Sequence, residues 1–390
     1  MRQARGFIIA GAMAALLTGM PDAQARGTVE LDAKDKVANT GGYDVRCGDV
    51  ITEHTMLTHD LACPGTAPFA LKVAGEGIVL DLGGYRVYRT GPENADSEGI
   101  VIEASSMVRN GTIQGFGLGY VVNHATNVRL HELALLDNRI GVYNRSSYVR
   151  FLITSSRFSG NGDGVNREFD ASNGEFDIRS TVFSHNERAI LTGSHNVDVL
   201  DSTFTSNGLA ISCFGGRVRF RSSTLVENTA VGTMLLDFGG PNTCAEMRFE
   251  NSLIANNIAL APPTAPVWET TRLAMINSWV VDNGSGLDAS ANTVYIDGNT
   301  LWDNGGGLTL SDLPEAVPTS LTGIVRNNRF LRNAGDGLRV LPPSTPTVIS
   351  NVALGNTGWG IHAPTAYDGG GNVARDNGAG DCVGIICAPY

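Results

Sequence analysis

An internal repeat constrains this chain more than any other feature. From residue 135 onward a small polar residue, any residue, an apolar residue, two of any kind and then Asn recur. The motif reads Ser156, Phe158, Asn161, then Thr181, Phe183, Asn186, then Ser202, Phe204, Asn207, then Ser223, Leu225, Asn228. It continues as Asn251, Leu253, Asn256, then Ser278, Val280, Asn283, then Asn299, Leu301, Asn304, and then Asn328, Phe330, Asn333. The last copies are Asn351, Ala353, Asn356 and Asn372, Ala374, Asn377, and an earlier one ends at Asn138 with Leu135 in the apolar slot. Successive terminal asparagines lie 21 to 29 residues apart. A fixed minimum with variable insertions describes stacked coils whose connecting loops differ in length.

Within a coil the apolar runs are three to five residues long and alternate, as in Gly141-Val-Tyr-Asn, Val149-Arg-Phe-Leu-Ile and Arg157-Phe158. Such runs are too short for helices and read as strands. Composition agrees. The chain holds 48 Gly and 30 Asn among 390 residues, and only 17% are charged. Disorder needs more charge, collagen needs Gly at every third position, and a long helix disfavours Gly and Asn. What remains is an all-β parallel β-helix, a solenoid of about a dozen coils at roughly 4.8 Å each. The recurring Asn is expected to turn a corner in the left-handed conformation and to form a side-chain ladder along the rod.

The first 25 residues read as a secretory signal. Arg2 and Arg5 precede the apolar stretch Gly6 to Met20, and Ala23-Gln24-Ala25 supplies a small-x-small cleavage site. Residues 26–390 are then one exported β-helix domain, secreted or periplasmic. Six cysteines in an oxidising compartment imply disulfides. Several connectivities are open; proximity favours Cys47 with Cys63, Cys213 with Cys244, and Cys382 with Cys387, the first and last stapling the terminal caps. No later stretch is long enough to span a bilayer, so no membrane partner is expected, and the net charge of −11 argues against nucleic acid. Lysine is nearly absent, at Lys34, Lys36 and Lys72.

The chain resembles the secreted right-handed parallel β-helix repeat proteins of bacteria, within the pectate-lyase-like superfamily. Cys47-Gly-Asp-Val-Ile-Thr through Leu57-Thr-His-Asp-Leu-Ala-Cys63-Pro-Gly resembles their entry region, and Gly77-Ile-Val-Leu-Asp-Leu-Gly-Gly84 their first full coil. The resemblance covers about 45 to 390. It implies a right-handed parallel β-helix and leaves activity open, because that superfamily holds lyases, polygalacturonases, uronan epimerases, phage tailspikes and adhesins. The hydrolase motifs Asn-Thr-Asp and Gly-His-Gly, the epimerase motif Asp-Pro-His-Glu and the calcium-binding nonapeptide are absent. A Lys-dependent lyase site is nearly excluded, since no Lys follows Lys72.

One candidate site survives. If Gly99, Gly119, Gly141 and Gly164 open successive coils, Ile100, Tyr120, Val142 and Val165 point inward. Val101, Val121, Tyr143 and Asn166, with Glu103, Asn123, Arg145 and Glu168, then form an exposed patch on the first sheet. Arg145 is expected to neutralise a uronate, Glu168 or His124 to act as general base, and Tyr143 to stack on a sugar or donate a proton. Glu103, Asn123, Asn166 and Arg167 are assigned to substrate binding. Glu103 and Glu168 are three coils apart, roughly 14 Å, too far for the roughly 6.5–9.5 Å of an inverting glycosidase pair. The expected function is therefore polysaccharide binding along the first sheet by a monomer, with lyase or epimerase chemistry on a uronate-containing glycan. The alternative is a non-catalytic scaffold or adhesin. No cofactor is implied outright; calcium is the one ion that the acidic stretch Gly162 to Glu175, read as a loop, admits. His185, His195 and His362 are expected at the surface or in turns.

Overall fold

A computed structural model of the chain describes residues 44–92, 94–167, 173–232, 243–263, 267–313 and 320–388. The leader expected over residues 1–25 lies outside them. The described residues are all strand and turn, wound into a parallel β-solenoid of about 13 turns. Each turn contributes strands to three faces. The first face begins with Asp49–Ile51, Leu71–Val73, Glu98–Ile102, Leu118–Val122, Ile140–Asn144 and Asp163–Arg167, each parallel to the next. Arg150–Thr154, Glu175–Arg179, Asn196–Leu200 and Arg217–Arg221 stack on the second face. Arg157–Ser159, Val182–Ser184, Thr203–Thr205 and Thr224–Val226 stack on the third.

In-register stacking puts like on like in the interior. Ile100, Tyr120, Val142, Val165, Ile190 and Ile211 form one buried column, so the four glycines do open equivalent coils. Phe158, Phe183 and Phe204 form another, with ring centroids 4.6 and 4.7 Å apart. Offset-stacked rings at this distance add to their burial.

Buried asparagines from Asn138 to Asn356, with half-exposed Asn377 at the end, build the expected ladder. The backbone N–H and the Nδ2 of Asn186 both donate to Oδ1 of Asn207, at 3.0 and 2.9 Å, and its Nδ2 also donates to the Phe158 carbonyl at 3.1 Å. The same arrangement runs from Asn138 to Asn377. The small polar residue of the motif forms a second ladder: the N–H of Ser156, Thr181 and Ser202 donates to the hydroxyl one coil on.

The corner role differs from expectation. The residue before each ladder member, not the member itself, takes positive φ: Ser206 (φ 56) before Asn207, Glu227 (φ 57) before Asn228, Asp201 (φ 49) before Ser202. The left-handed residue reverses the chain so that the next side chain points inward, where an amide or hydroxyl can meet the backbone groups of a bend. The same rule corrects one repeat. Asn251 (φ 49) and Asn256 (φ 55) are corners, and Ser252, Ile254 and Asn257 are the inward set. Two adjacent asparagines are ambiguous in sequence; only the bend tells them apart.

All three proximity pairs of cysteines are disulfides: Cys47–Cys63, Cys213–Cys244 and Cys382–Cys387. Cys47–Cys63 closes the first described turn, formed by Asp49–Ile51, Thr55–Met56 and Leu61–Cys63. Gly77 to Gly84 lies in the turn that follows this entry region. The stretch Gly162 to Glu175 is not one loop either. Asp163–Arg167 is a first-face strand, Glu175 begins a second-face strand, and 168–172 lie outside the described residues.

Candidate functional site

On the outer face of the first sheet, alternation and coil stacking bring the residues after Gly99, Gly119 and Gly141 together. Val101, Val121 and Tyr143 are in register. Val101 and Val121 face outward yet are buried, because they form a small outer cluster with Leu118 and Ile140, against which Phe69 and Tyr143 pack. Two cations lie over the aromatic rings of that cluster. Lys72 Nζ is 4.7 Å from the Phe69 centroid, and the Arg145 guanidinium is 5.3 Å from that of Tyr143. Both contacts are within cation–π range.

Each cation is held by a carboxylate. Arg145 Nη1 donates to Glu98 Oε1 at 2.6 Å, two coils back, and lies 3.5 Å from Asn123 Oδ1. Lys72 Nζ is 3.5 Å from Glu103 Oε1. Asn123 Nδ2 donates to the same Oε1 at 3.0 Å, and His124 Nδ1 is 2.8 Å from Oε2. The His124 bond, opposed by partial burial and reinforced by Asn123 and Lys72, holds the Glu103 carboxyl below the usual carboxylate range. Glu103 is thus ionised and fully engaged, which makes it a poor base. It is suited instead to orienting His124, whose side chain is 81% exposed. With Nδ1–H donated to Glu103, Nε2 is the imidazole's free lone pair and faces solvent.

Five of the expected site residues therefore meet here: Glu103, Asn123, His124, Tyr143 and Arg145. Two others, Asn166 and Arg167, do not join them. Asn166, in register with Tyr143, is tied by its Nδ2 to Asp163 Oδ2 at 2.6 Å, and Asp163 in turn accepts from Arg188 Nη2 at 2.9 Å. Arg167 pairs in register with buried Asn144, and its guanidinium lies against Gly193 and beside His195. Glu168 lies outside the described residues. Among the described residues no three His, Cys, Asp or Glu side chains converge to hold a metal. Of the acids expected to admit calcium, Asp163 is paired with Arg188 and Glu175 with Arg150.

The sequence left Glu98 and Lys72 out of the site. Both sit on first-sheet strands that supply its partners, but the diagonal from Glu98 to Arg145 crosses two coils and has no signature in spacing. His195 also departs from expectation. It is fully buried, with Nε2 3.0 Å from Asn144 Nδ2 and Nδ1 without a hydrogen-bond partner. Burial first, and then the Arg167 charge, lower its pKa from 6.5 to about 4. A separate cavity of about 290 Å³, lined by Arg89, Asn94, Phe116, Asp137 and Arg139 among others, shares no residue with the first-sheet network.

The family described as "right handed beta helix region" matches residues 242–377. Among solved structures, the Dettilon tailspike protein is similar over 77% of this chain and 60% of its own, with 14% identity and a TM-score of 0.33. This chain thus spans under two thirds of that tailspike's length. No curated protein sequence matches the chain. With parallel coils, inward ladders and a family match over the C-terminal third, the chain is a right-handed parallel β-helix repeat protein.

Proposed function

We propose that this protein binds a uronate-containing polysaccharide across the first sheet and acts on it by proton abstraction next to the carboxylate, as a lyase or epimerase. The observation that carries this reading is the Glu103–His124 pair at 2.8 Å, beside Asn123 and Arg145 on one outer face. His124 Nε2 takes the proton on the carbon bearing the carboxylate. The contacts of Arg145 with Glu98 and Asn123 use Nη1, and its other donors would take the uronate and stabilise the charge that develops. In a lyase, the electron pair left behind forms the new double bond as the glycosidic C–O bond breaks, and Tyr143 supplies the proton to the leaving oxygen. In an epimerase, a proton returns to the same carbon from the opposite face.

A second reading is favoured by a specific observation. Lys72, Glu98, Glu103 and Arg145 satisfy one another, as cross-strand pairs on any exposed sheet do. On that reading the rod is a non-catalytic scaffold or adhesin. Incubation with a panel of uronans separates the two. A rise in absorbance at ~232 nm marks a lyase, and an altered proton spectrum of the polymer without chain cleavage marks an epimerase. Neither signal with any uronan removes the catalytic reading.

A further inference from the structure

The second sheet carries a concentration of arginine that the first-sheet site does not use. The strand Arg217–Arg221 reads Arg-Val-Arg-Phe-Arg, so alternation buries Val218 and Phe220 and leaves Arg217, Arg219 and Arg221 on the outer face. The next coil sets Glu246, Arg248 and Glu250 beside them in register, and the coil after that sets Arg272 beside Glu246. Five guanidiniums and two carboxylates thus share three adjacent coils of a chain whose net charge is −11.

Each carboxylate is paired with one guanidinium and keeps further acceptor sites. Glu246 accepts from Arg219 Nη2 at 2.8 Å, and Glu250 accepts from Arg248. Among the described residues, Arg217, Arg221 and Arg272 have no acidic partner. Arg219 and Arg248 stand directly opposite each other, a like-charge pairing that costs stability, and Glu246 approaches both, at 2.8 and 4.0 Å. The Nε–H groups of Arg217 and Arg219 are covered and meet no acceptor. Elsewhere on the rod some outward arginines are matched, as Arg109 is by Asp81 at 2.9 Å and Arg326 by Asp297 at 2.8 Å, whereas the isolated Arg157 and Arg329 have no acidic partner among the described residues. What sets this face apart is the clustering: five guanidiniums against two carboxylates on three adjacent strands, with Asp198 beside Arg219 on the strand before them.

We propose that this face of the second sheet binds an acidic polysaccharide, one that carries carboxylate or sulfate groups alongside hydroxyls. Planar guanidiniums take either anion through paired N–H donors. The interleaved Glu246 and Glu250 accept sugar hydroxyls, which a purely anionic polymer does not offer. The pattern runs along the rod at about 4.8 Å per coil, the direction an extended chain follows. Nucleic acid fits less well, because no outward position of these three strands carries an aromatic ring on which a base stacks. The site lies on a different sheet and different coils from His124, and it does not depend on the chemistry proposed there.

Binding of the full-length protein to immobilised polygalacturonate, dextran sulfate, neutral dextran and oligothymidylate tests this. Wild type is expected to bind at least one acidic polysaccharide, with the tighter of the two naming the anion, and to bind dextran and oligothymidylate at least tenfold more weakly. The triple variant Arg217→Gln/Arg221→Gln/Arg272→Gln should lose at least tenfold in affinity, with an unchanged melting temperature and a shallower salt dependence. A charge-matched control on other faces, Arg157→Gln/Arg329→Gln/Arg339→Gln, should lose less than threefold. Wild-type affinity in the triple variant, an equal loss in the control, equal binding to dextran or oligothymidylate, or no binding to either acidic polymer overturns the proposal. Because the readout is binding, an absence of turnover at the first sheet leaves it intact.

Discussion

His124 Nδ1 lies 2.8 Å from Glu103 Oε2, on neighbouring coils and 21 positions apart in sequence. The carboxylate fixes the imidazole's orientation and tautomer, and Asn123 and Lys72 fix the carboxylate.

If His124 is the base, His124→Ala lowers turnover on a uronan by about 100-fold or more, the usual contribution of a positioned base. Glu103→Gln keeps the shape but not the charge, and should lower it by about tenfold while leaving polymer affinity unchanged. Initial rates at ~232 nm, alongside equilibrium binding, check both. Equal activity of His124→Ala and wild type would remove the assignment.

The Asn ladder predicts position-dependent stability. Asn207→Ala strips the acceptor from the Asn186 N–H and Nδ2, and deletes the bonds of its own amide to the Phe183 carbonyl and Asn228. Two buried donors are left unmet, at a cost of about 3–5 kcal/mol. Asn377→Ala, at the half-exposed end of the ladder, should cost about 1–2 kcal/mol, since water replaces the lost partner. Urea midpoints of the two variants rank them.

The corner residues predict the opposite sign. Ser206 sits at φ 56, where a Cβ is disfavoured. Ser206→Gly should stabilise by about 0.5–1 kcal/mol, and Ser206→Val should destabilise by about 1–2 kcal/mol. Thermal melting of the pair measures both. A stabilising valine would contradict the assigned backbone conformation.

His195 predicts a pH dependence. Its folded pKa is lowered from 6.5 to about 4, so the unfolded chain binds the proton more readily than the folded one between those values. Its contribution is fully present above pH ~6.5, falls as pH drops towards ~4, and totals about 3 kcal/mol. The stability difference between wild type and His195→Leu should therefore shrink by about that amount from pH ~7 to pH ~4. A difference independent of pH would show that His195 does not titrate across folding.

The repeat made the fold legible. A polar residue, an apolar residue and an Asn at fixed offsets can recur this often only if each coil places them at one spot of a stack, so coil number, inward columns and ladder follow from spacing. The cysteine pairs were legible for a related reason, since neighbours along a solenoid are one coil apart at most. Legibility failed at one coil where adjacent residues offered the same chemistry, although Asn327-Asn328 was legible. Asn251-Ser252 and Asn256-Asn257 each hold one corner and one ladder member, and composition does not say which.

The sequence alone thus determined a parallel β-helix with an outer first-sheet patch containing Glu103, Asn123, Tyr143 and Arg145. Tertiary structure decided what those side chains do to one another. It tied Arg145 to Glu98 across two coils, sealed Val101 and Val121 beneath aromatic rings, buried His195, and left Arg217, Arg221 and Arg272 with no acidic partner among the described residues. The physical reason is one of range. Backbone periodicity acts within a strand and repeats along the chain, whereas an ion pair or a covered ring depends on side chains that reach diagonally over coils tens of residues apart.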